Sequence, residues 1–379
     1  MSQKKNGKSA ARRFAPAGAL FALAGVGLFS YYVWKAGPAD IWENISKIGV
    51  GFLVILALGG LRFVVRAWAL TLCFERPHRV GIWTAFRAAL IGDTAGNVLP
   101  LGMAVSEPTK AALLSGRVPL GAAVAAITVE NLFYMLSVAL FIFGGAVALL
   151  ASYPLPRRLR WSSEGIIVGV VVFVLFAAFA LWRQWRFLSG AMEWLAARGV
   201  ARRLMASKRA AVRSVEDRVY GFYERSRSRF APILLLEGSF HVLGVAEGFL
   251  TIYLISGAAP SLMAAFLFES VNRVITMVFK FVPLRAGVDE AGTGQLAHVL
   301  AFGITAGVTL AIVRKARMVF WMGVGVALLA ARGLSLRSVA GGASEAGGER
   351  DGGRDGAAGG DRRDEDVGGG PEAARAGVK

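Results

Sequence analysis

A nine-residue phrase occurs twice in this chain, far apart and without a gap. Residues 99–107 read LPLGMAVSE, and residues 282–290 read VPLRAGVDE. Both copies lie in long apolar sequence, where a helix-breaking proline and a carboxylate are costly. A costly element in both halves of a chain is typical of membrane proteins built from internal repeats with broken helices near the bilayer midplane. The phrase therefore predicts a membrane protein with two equivalent halves.

The composition supports a membrane location. Of the 379 residues, 55% are hydrophobic and 18% are charged, whereas soluble domains carry about 25% charged residues. The net charge of +18 would also suit nucleic acid. The basic residues lie in loops between apolar segments, however, which favours contact with anionic lipid headgroups instead. We therefore expect membrane lipids as partners and no nucleic acid.

Several kinds of chemistry are excluded by the residues present. Cys73 is the single cysteine, and the three histidines are scattered, so neither a disulfide framework nor a metal site is expected. No P-loop, nucleophile elbow or H-E-x-x-H motif occurs. The sequence predicts no cofactor, no catalytic residues and no ATP hydrolysis.

The apolar pattern predicts an all-α integral membrane protein with six full spans and two re-entrant helical hairpins. About 20 apolar residues are needed to cross the hydrocarbon core. The predicted spans are 15–34, 49–72, 120–150, 165–182, 231–255 and 305–331. The predicted hairpins, each holding one copy of the phrase, are 81–114 and 262–302.

The basic residues predict the orientation and the domain boundaries. Lysine and arginine concentrate on the cytoplasmic side, which places both termini there. The span at 231–255 then runs opposite to the span at 49–72, so the halves are predicted to be inverted repeats. The predicted regions are a basic tail 1–14, a first membrane half 15–182, a basic amphipathic cytoplasmic segment 183–230, a second membrane half 231–331 and a disordered cytoplasmic tail 332–379.

The repeated phrase has two compatible interpretations. Ser106 and Asp289 are good N-cap residues, which would place Glu107 and Glu290 in a first helical turn near exposed amides. In the second interpretation, the broken helices open a polar cavity, since irregular backbone at membrane depth is tolerated where it lines one. Lysine and arginine would then attract a phosphate, and the glutamates would bind an amine, a hydroxyl or a proton. The candidate substrate-binding residues are Asn97, Pro100, Glu107, Lys110, Lys280, Pro283, Arg285, Asp289 and Glu290.

Other charges within the apolar segments have simpler explanations. Arg62 and Arg66, late in the second span, are expected to snorkel to the headgroups. Glu269 and Arg273 are four residues apart, which favours an ion pair on one helix face. Glu237 and His241 have the same spacing, which suits either a proton relay or a pair that bridges neighbouring helices. Glu130 with Asn131, and the group Arg314, Lys315 and Arg317, occupy comparable places after the two phrases.

The phrase and its surroundings resemble a flippase-like membrane family, typified by the transmembrane part of lysylphosphatidylglycerol synthase. The resemblance rests on Asn97-x-x-Pro100, Glu107-x-x-Lys110 and Pro283-x-x-x-Gly287-x-x-Glu290, and it covers roughly residues 15–331. Two departures stand out: Ala104 to Ser106 replace the glycine region of the first phrase, and Lys110 replaces an arginine. Asn131 stands where the family usually has another arginine.

The resemblance implies a multi-pass protein of the plasma (inner) membrane that moves a lipid or lipid-linked headgroup between leaflets without ATP. The expected lipids are an anionic or aminoacylated phospholipid, or a polyprenyl- or hopanoid-type lipid. Aminoacyl transfer is not expected, because only a 48-residue tail follows residue 331. The alternative is a scaffold or regulator of a lipid- or glycan-modifying enzyme, with 183–230 and the tail as its docking surfaces. The spacing Gly165-x-x-x-Gly169 would allow two copies to associate.

Overall fold

A computed structural model describes residues 26–98, 102–154, 157–183, 190, 194, 198, 202–279 and 282–331. The predicted basic tail 1–14, the start of the first predicted span and the predicted disordered tail 332–379 lie outside the described residues. All regular secondary structure in the described residues is helical, and these residues contain no strand. The all-α prediction is thus confirmed.

The helices follow one another with short connections. In chain order they are α1 (26–36), α2 (Pro38–Ile48), α3 (Gly51–Leu72), α4 (Ile82–Val98), α5 (Gly102–Leu114), α6 (Leu120–Ser152), α7 (Arg157–Trp182), α8 (Arg202–Arg225), α9 (Phe230–Ser256), α10 (Leu262–Val278), α11 (Val288–Val299) and α12 (Ile304–Ala330). Short 3₁₀ turns at Arg227–Arg229 and Pro283–Arg285 precede α9 and α11.

Four of the described helices are long and apolar enough to cross a membrane. They are Gly51–Leu72, Leu120–Ser152, Arg160–Ala180 and Arg227–Ser256, in agreement with four of the predicted spans. The last predicted span also forms a helix, α12, of 27 residues, but basic residues near its middle reduce its apolar character. The total of six spans therefore stays a prediction.

Both segments that hold the phrase contain two short helices that pack against each other. The interval between α4 and α5, whose residues 99–101 lie outside the described residues, is called the first break, and the interval between α10 and α11 is called the second. Helices α4 and α5 have 17 and 13 residues, and helices α10 and α11 have 17 and 12. At a rise of 1.5 Å per residue these helices are about 18–26 Å long, below the ~30 Å thickness of the hydrocarbon core. This length suits helices that enter the membrane without crossing it, as the re-entrant prediction requires.

The helices before and after the two phrase-bearing segments contact one another. Helix α3 packs along α9, so the two helices that precede the phrase-bearing segments contact each other. Helix α12 packs against both α4 and α11, and the turn Pro283–Arg285 also contacts α4. The two breaks therefore lie on neighbouring elements.

Close helix contacts depend on glycine at particular positions. A Cβ added at Gly307 of α12 would overlap the backbone carbonyl of Thr293 in α11. Gly292 and Gly294 likewise face Ile275 and Val308. These glycines therefore allow α10, α11 and α12 to approach one another closely.

Helix α8 is the described part of the predicted amphipathic segment. Its Phe222 is 2% exposed and packs in a core cluster with residues of α3, α4 and α6. Arg213, Arg218 and Arg225 of the same helix are exposed, and Arg225 binds Glu75 in the loop after α3 at 3.0 Å. One face of α8 is thus attached to the bundle and the other is basic.

Candidate functional site

At the first break the glutamate lies inside a helix rather than at its start. Pro100 lies outside the described residues, and α5 already begins at Gly102. Ser106 is therefore not an N-cap, and Glu107 is not in the first turn; both N-cap predictions for this copy are wrong. The reason is that Gly102, four residues before the serine, and Met103 are already helical.

Glu107 is instead held by a cation of its own helix. The Lys110 Nζ donates to Glu107 Oε1 at 3.1 Å. Lys110 is buried at 5% exposure, and its stem lies against Gly92 of α4, where a Cβ would collide with it. The pair therefore ties the helix after the break to the helix before it.

At the second break the glutamate does cap the helix. The break passes through Leu284 and Arg285, both with positive φ, and ends at Gly287 with a φ of 79°. Gly287 is the N-cap of α11, so the prediction that Asp289 fills that position is wrong: the positive φ favours glycine there. The Gly287 amide donates to Glu290 Oε2 at 2.8 Å, as a glutamate at the third helical position does in a capping box.

Glu290 also has a cationic partner. Lys315 of α12 donates to Glu290 Oε1 at 2.5 Å and lies 3.5 Å from Asp289. Arg285 pairs with Asp289 at 3.2 Å. Each phrase glutamate thus pairs with a lysine, from its own helix in the first half and from a neighbouring helix in the second. The capping interpretation explains Glu290 in part and does not explain Glu107.

A cavity of about 520 Å³ opens between α5 and α6. Its wall is mainly apolar, and its polar groups are Glu107 at one side and Thr128 and Asn131 on α6. The second carboxylate oxygen of Glu107, Oε2, is buried and has no donor at normal hydrogen-bond geometry among the residues described, although the Asn131 side chain lies near this carboxylate. The remaining lining residues are Pro108, Ala111, Ala112, Leu120, Val124, Ile127, Leu132 and Met135. Such a cavity suits a molecule with a long apolar part and a small polar group that donates hydrogen bonds.

A second polar centre is the ion cluster around Glu269, which joins four helices. The Glu269 carboxylate contacts Arg273 at 2.7 Å, Arg62 at 3.1 Å and Arg314 at 3.3 Å. Arg62 also binds Glu247, at 3.1 Å, and its guanidinium lies 4.2 Å from the Phe240 ring centroid. The predicted pair of Glu269 and Arg273 is confirmed, but it is one edge of a larger network.

The snorkelling prediction for Arg62 and Arg66 is wrong. Arg62 is 4% exposed and is held in the ion cluster. Arg66 donates to Glu130 Oε1 at 2.6 and 3.0 Å, and its guanidinium lies over the Tyr134 ring. Buried carboxylates on neighbouring helices provide these arginines with charge partners that the headgroups would otherwise supply.

The predicted site residues are distributed over the two breaks. Asn97 of α4 donates to the backbone and side chain of Asp93 at 3.0 Å. Arg285, Asp289 and Glu290 lie together, Pro283 is described by its backbone alone, and Lys280 lies outside the described residues. Sequence reasoning missed Lys315 as the partner of Glu290. The signal was present, since Lys315 lies in the basic group that follows the second phrase.

Comparison with known proteins agrees with this architecture. A family model, described as the lysylphosphatidylglycerol synthase TM region, matches residues 17–322. No curated protein and no solved structure matches the chain. The family resemblance inferred from residues 15–331 is confirmed. With a match over more than half of its length and with several apolar helices, the chain is a multi-pass membrane protein that belongs to the lysylphosphatidylglycerol synthase TM region family.

Proposed function

We propose that this protein moves a lipid or lipid-linked headgroup between the leaflets of the membrane, without ATP. The observation that carries the proposal is the cavity between α5 and α6. Its volume, about 520 Å³, lies within the range of small-molecule sites. Apolar walls suit acyl chains, and the carboxylate and amide at one side suit a headgroup.

The broken helices support a transport role. Short helices around a break, in two halves of one membrane protein, are typical of transporters that bind their substrate near the midplane. The ion pair of Glu107 with Lys110 and that of Glu290 with Lys315 lie beside the two breaks. A charged headgroup that arrives at such an ion pair can replace one of its two partners. A break without charged side chains could not bind a headgroup in this way.

The chemistry of the cavity favours a headgroup that carries an amine. Glu107 Oε2 has no donor at normal hydrogen-bond geometry among the described residues, and the ion-pair partner of Glu107, Lys110, donates to Oε1. An ammonium group would supply both a donor and a charge at Oε2. Lys110, Arg285 and Lys280 would attract the phosphate of the same lipid. An aminoacylated phospholipid carries both groups, so it is the first candidate. The other candidate substrates are anionic phospholipids and polyprenyl- or hopanoid-type lipids, and all of these lipids form the panel for the exchange assay.

The proposed setting follows from the family and the charges. The protein would act in the plasma (inner) membrane, with both termini in the cytoplasm and with inverted halves. It would act as a transporter rather than as an enzyme, since the proposed step breaks and forms no covalent bond.

Leaflet exchange of labelled lipids in liposomes tests the proposal. The purified protein should accelerate exchange, and Glu107→Gln should reduce that rate at least tenfold, because the neutral amide can accept a hydrogen bond from an ammonium group but cannot balance its charge. Glu164→Gln is a matched control: this glutamate is exposed and pairs with Arg160 on the surface of α7. If Glu107→Gln exchanges lipid at the wild-type rate, the cavity beside Glu107 is not part of the proposed path.

Glu290→Gln separates transport from capping. Glutamine still accepts the hydrogen bond from the Gly287 amide, but it leaves Lys315 with Asp289 alone. A variant that folds and no longer exchanges lipid would assign the second break to the path. A variant that fails to fold would assign Glu290 to structure, and the proposal would then rest on the first break.

A scaffold role is the second candidate, favoured by the exposed arginines of α8. Replacing Arg213 and Arg218 by glutamine tests it, because a scaffold should lose its partner while a transporter keeps its exchange rate. No exchange with any lipid of the panel, by protein that remains folded, would favour the scaffold.

A further inference from the structure

Glu237 is a fully buried carboxylate with no cation of its own. It lies on α9, in one of the apolar spans, with an exposed fraction of 0%. Neither of its oxygens receives a hydrogen bond from a donor in the described part of the chain. The group within hydrogen-bonding reach is another carboxylate, that of Glu130 on α6. Two ionised carboxylates cannot form a hydrogen bond, because both are acceptors.

The charges around Glu237 are one positive charge short. Arg66 already pairs with Glu130 at 2.6 Å, and Lys110 pairs with Glu107 at 3.1 Å. Three carboxylates therefore share two cations. The titratable and charged side chains around Glu237 are Arg66 of α3, Cys73 directly after α3, Lys110 of α5, Glu130 of α6 and His241 of its own helix. Arg229 also lies near Cys73, but its guanidinium donates to the backbone carbonyls of Leu72 and Phe74.

The neighbouring histidine does not supply the missing charge. His241 forms a hydrogen bond with Ser137 of α6 at 3.1 Å, which bridges the two helices as one of the sequence interpretations predicted. Its ring is stacked with Phe141, and arginines of the ion cluster lie on its other side. A second positive charge there would be repelled.

We propose that Glu237 holds an exchangeable proton, which it shares with Glu130, and that a cationic headgroup bound at Glu107 displaces this proton. The coupling rests on the proposed function; the proton site itself does not. The proton is the missing positive charge, and as an acid Glu237 donates the hydrogen bond that Glu130 accepts. An unpaired buried carboxylate would otherwise be strongly unfavourable.

The exchange follows from the two roles of Lys110. This lysine pairs with Glu107 and lies close enough to Glu237 for their charges to interact. An ammonium group that binds Glu107 releases Lys110 to balance an ionised Glu237. The carboxyl proton then passes to solvent water, and no other covalent bond changes. One positive charge thus enters from the lipid as one leaves as a proton, so the buried charge is conserved.

Infrared spectroscopy of the purified full-length protein tests the proton site without any lipid substrate. At neutral pH the wild type should show the carbonyl stretch of a protonated carboxylic acid. Glu237→Gln should remove this band and keep the fold, because its amide can also donate to Glu130. The surface variant Glu164→Gln should leave the band unchanged. If Glu237→Gln fails to fold, Glu237→Asp should shift the band. A neutral-pH spectrum without the band, or a band indifferent to both variants at Glu237, overturns the proposal.

Proton release on lipid binding tests the coupling. Lysylphosphatidylglycerol added to the protein in weakly buffered micelles should release up to one proton per molecule bound, while phosphatidylglycerol, which lacks the amine, should release none. The apparent affinity for the aminoacylated lipid should rise with pH, by at most tenfold per unit, and Glu237→Gln should abolish that dependence. Binding without proton release overturns the coupling. The absence of any lipid binding, with the infrared band present, refutes the proposed function and supports the proton site.

Discussion

Neutralising Glu269 should destabilise the fold more than any surface substitution. Glu269 is fully buried, and its carboxylate contacts Arg62, Arg273 and Arg314 at 2.7–3.3 Å. Asn272 donates to it as well, at 3.1 Å. These arginines come from α3, α10 and α12, so one carboxylate connects helices from both halves of the chain.

The expected cost follows from the charges left behind. Removing one partner of a buried ion pair costs about 3–5 kcal/mol, because the remaining charge is uncompensated. In Glu269→Gln, Arg62 keeps Glu247, whereas Arg273 and Arg314 lose the one carboxylate within 4 Å of them among the residues described. We therefore expect a loss of unfolding free energy near the upper end of that range.

Denaturant unfolding in detergent micelles, followed by circular dichroism, measures this loss. Glu43→Gln is the matched control, since Glu43 pairs with Lys47 at 2.9 Å but its side chain is 68% exposed. Exposed pairs of this kind contribute about 0–1 kcal/mol. The double variant Glu269→Gln/Arg273→Met should recover part of the loss, because it removes a charge together with its partner.

Equal stability of Glu269→Gln and Glu43→Gln would refute the reasoning. It would mean that water reaches the ion cluster and screens its charges. The cluster would then be part of a hydrated pathway rather than the connection between the halves.

Two further predictions concern helix packing and the surface. Gly307→Ala should lower the unfolding free energy by about 1–3 kcal/mol, because the added methyl group overlaps Thr293. Gly323→Ala, on the same helix with open space around it, is the control and should be neutral or slightly stabilising. Equal effects of the two substitutions would contradict the close packing at Gly307. Arg225→Ala breaks the exposed contact with Glu75 and should cost less than about 1 kcal/mol, with a smaller cost at high salt. A larger loss, independent of salt, would show that this contact anchors α8 to the bundle.

The sequence was sufficient for those features that depend on local physics. Apolar length predicts helices at four of the spans because about 20 apolar residues match the hydrocarbon thickness. The repeated proline predicts a break in each half because proline removes a backbone donor and clashes with the preceding turn, and the described backbone around Leu284 and Arg285 has this break. These properties belong to a short segment and do not depend on what it packs against.

The sequence was misleading where the helix start depends on backbone conformation. Ser106 and Asp289 have the side chains of N-caps, yet α5 begins at Gly102 and α11 is capped at Gly287. At Gly287 a positive φ, which glycine adopts readily, ends the second break. The type of side chain at the next positions does not reveal that geometry.

The partners of the buried charges were decided by the tertiary structure alone. Arg62 lies late in an apolar span, where local sequence suggests contact with headgroups, but its partners Glu247 and Glu269 are 185 and 207 residues away in the chain. The unpaired state of Glu237 is likewise visible only once α3, α6 and α9 are packed together. Sequence determines which segments are helical and broken, because backbone and hydropathy act locally. Packing determines which charges meet, because electrostatic pairing depends on distance in space.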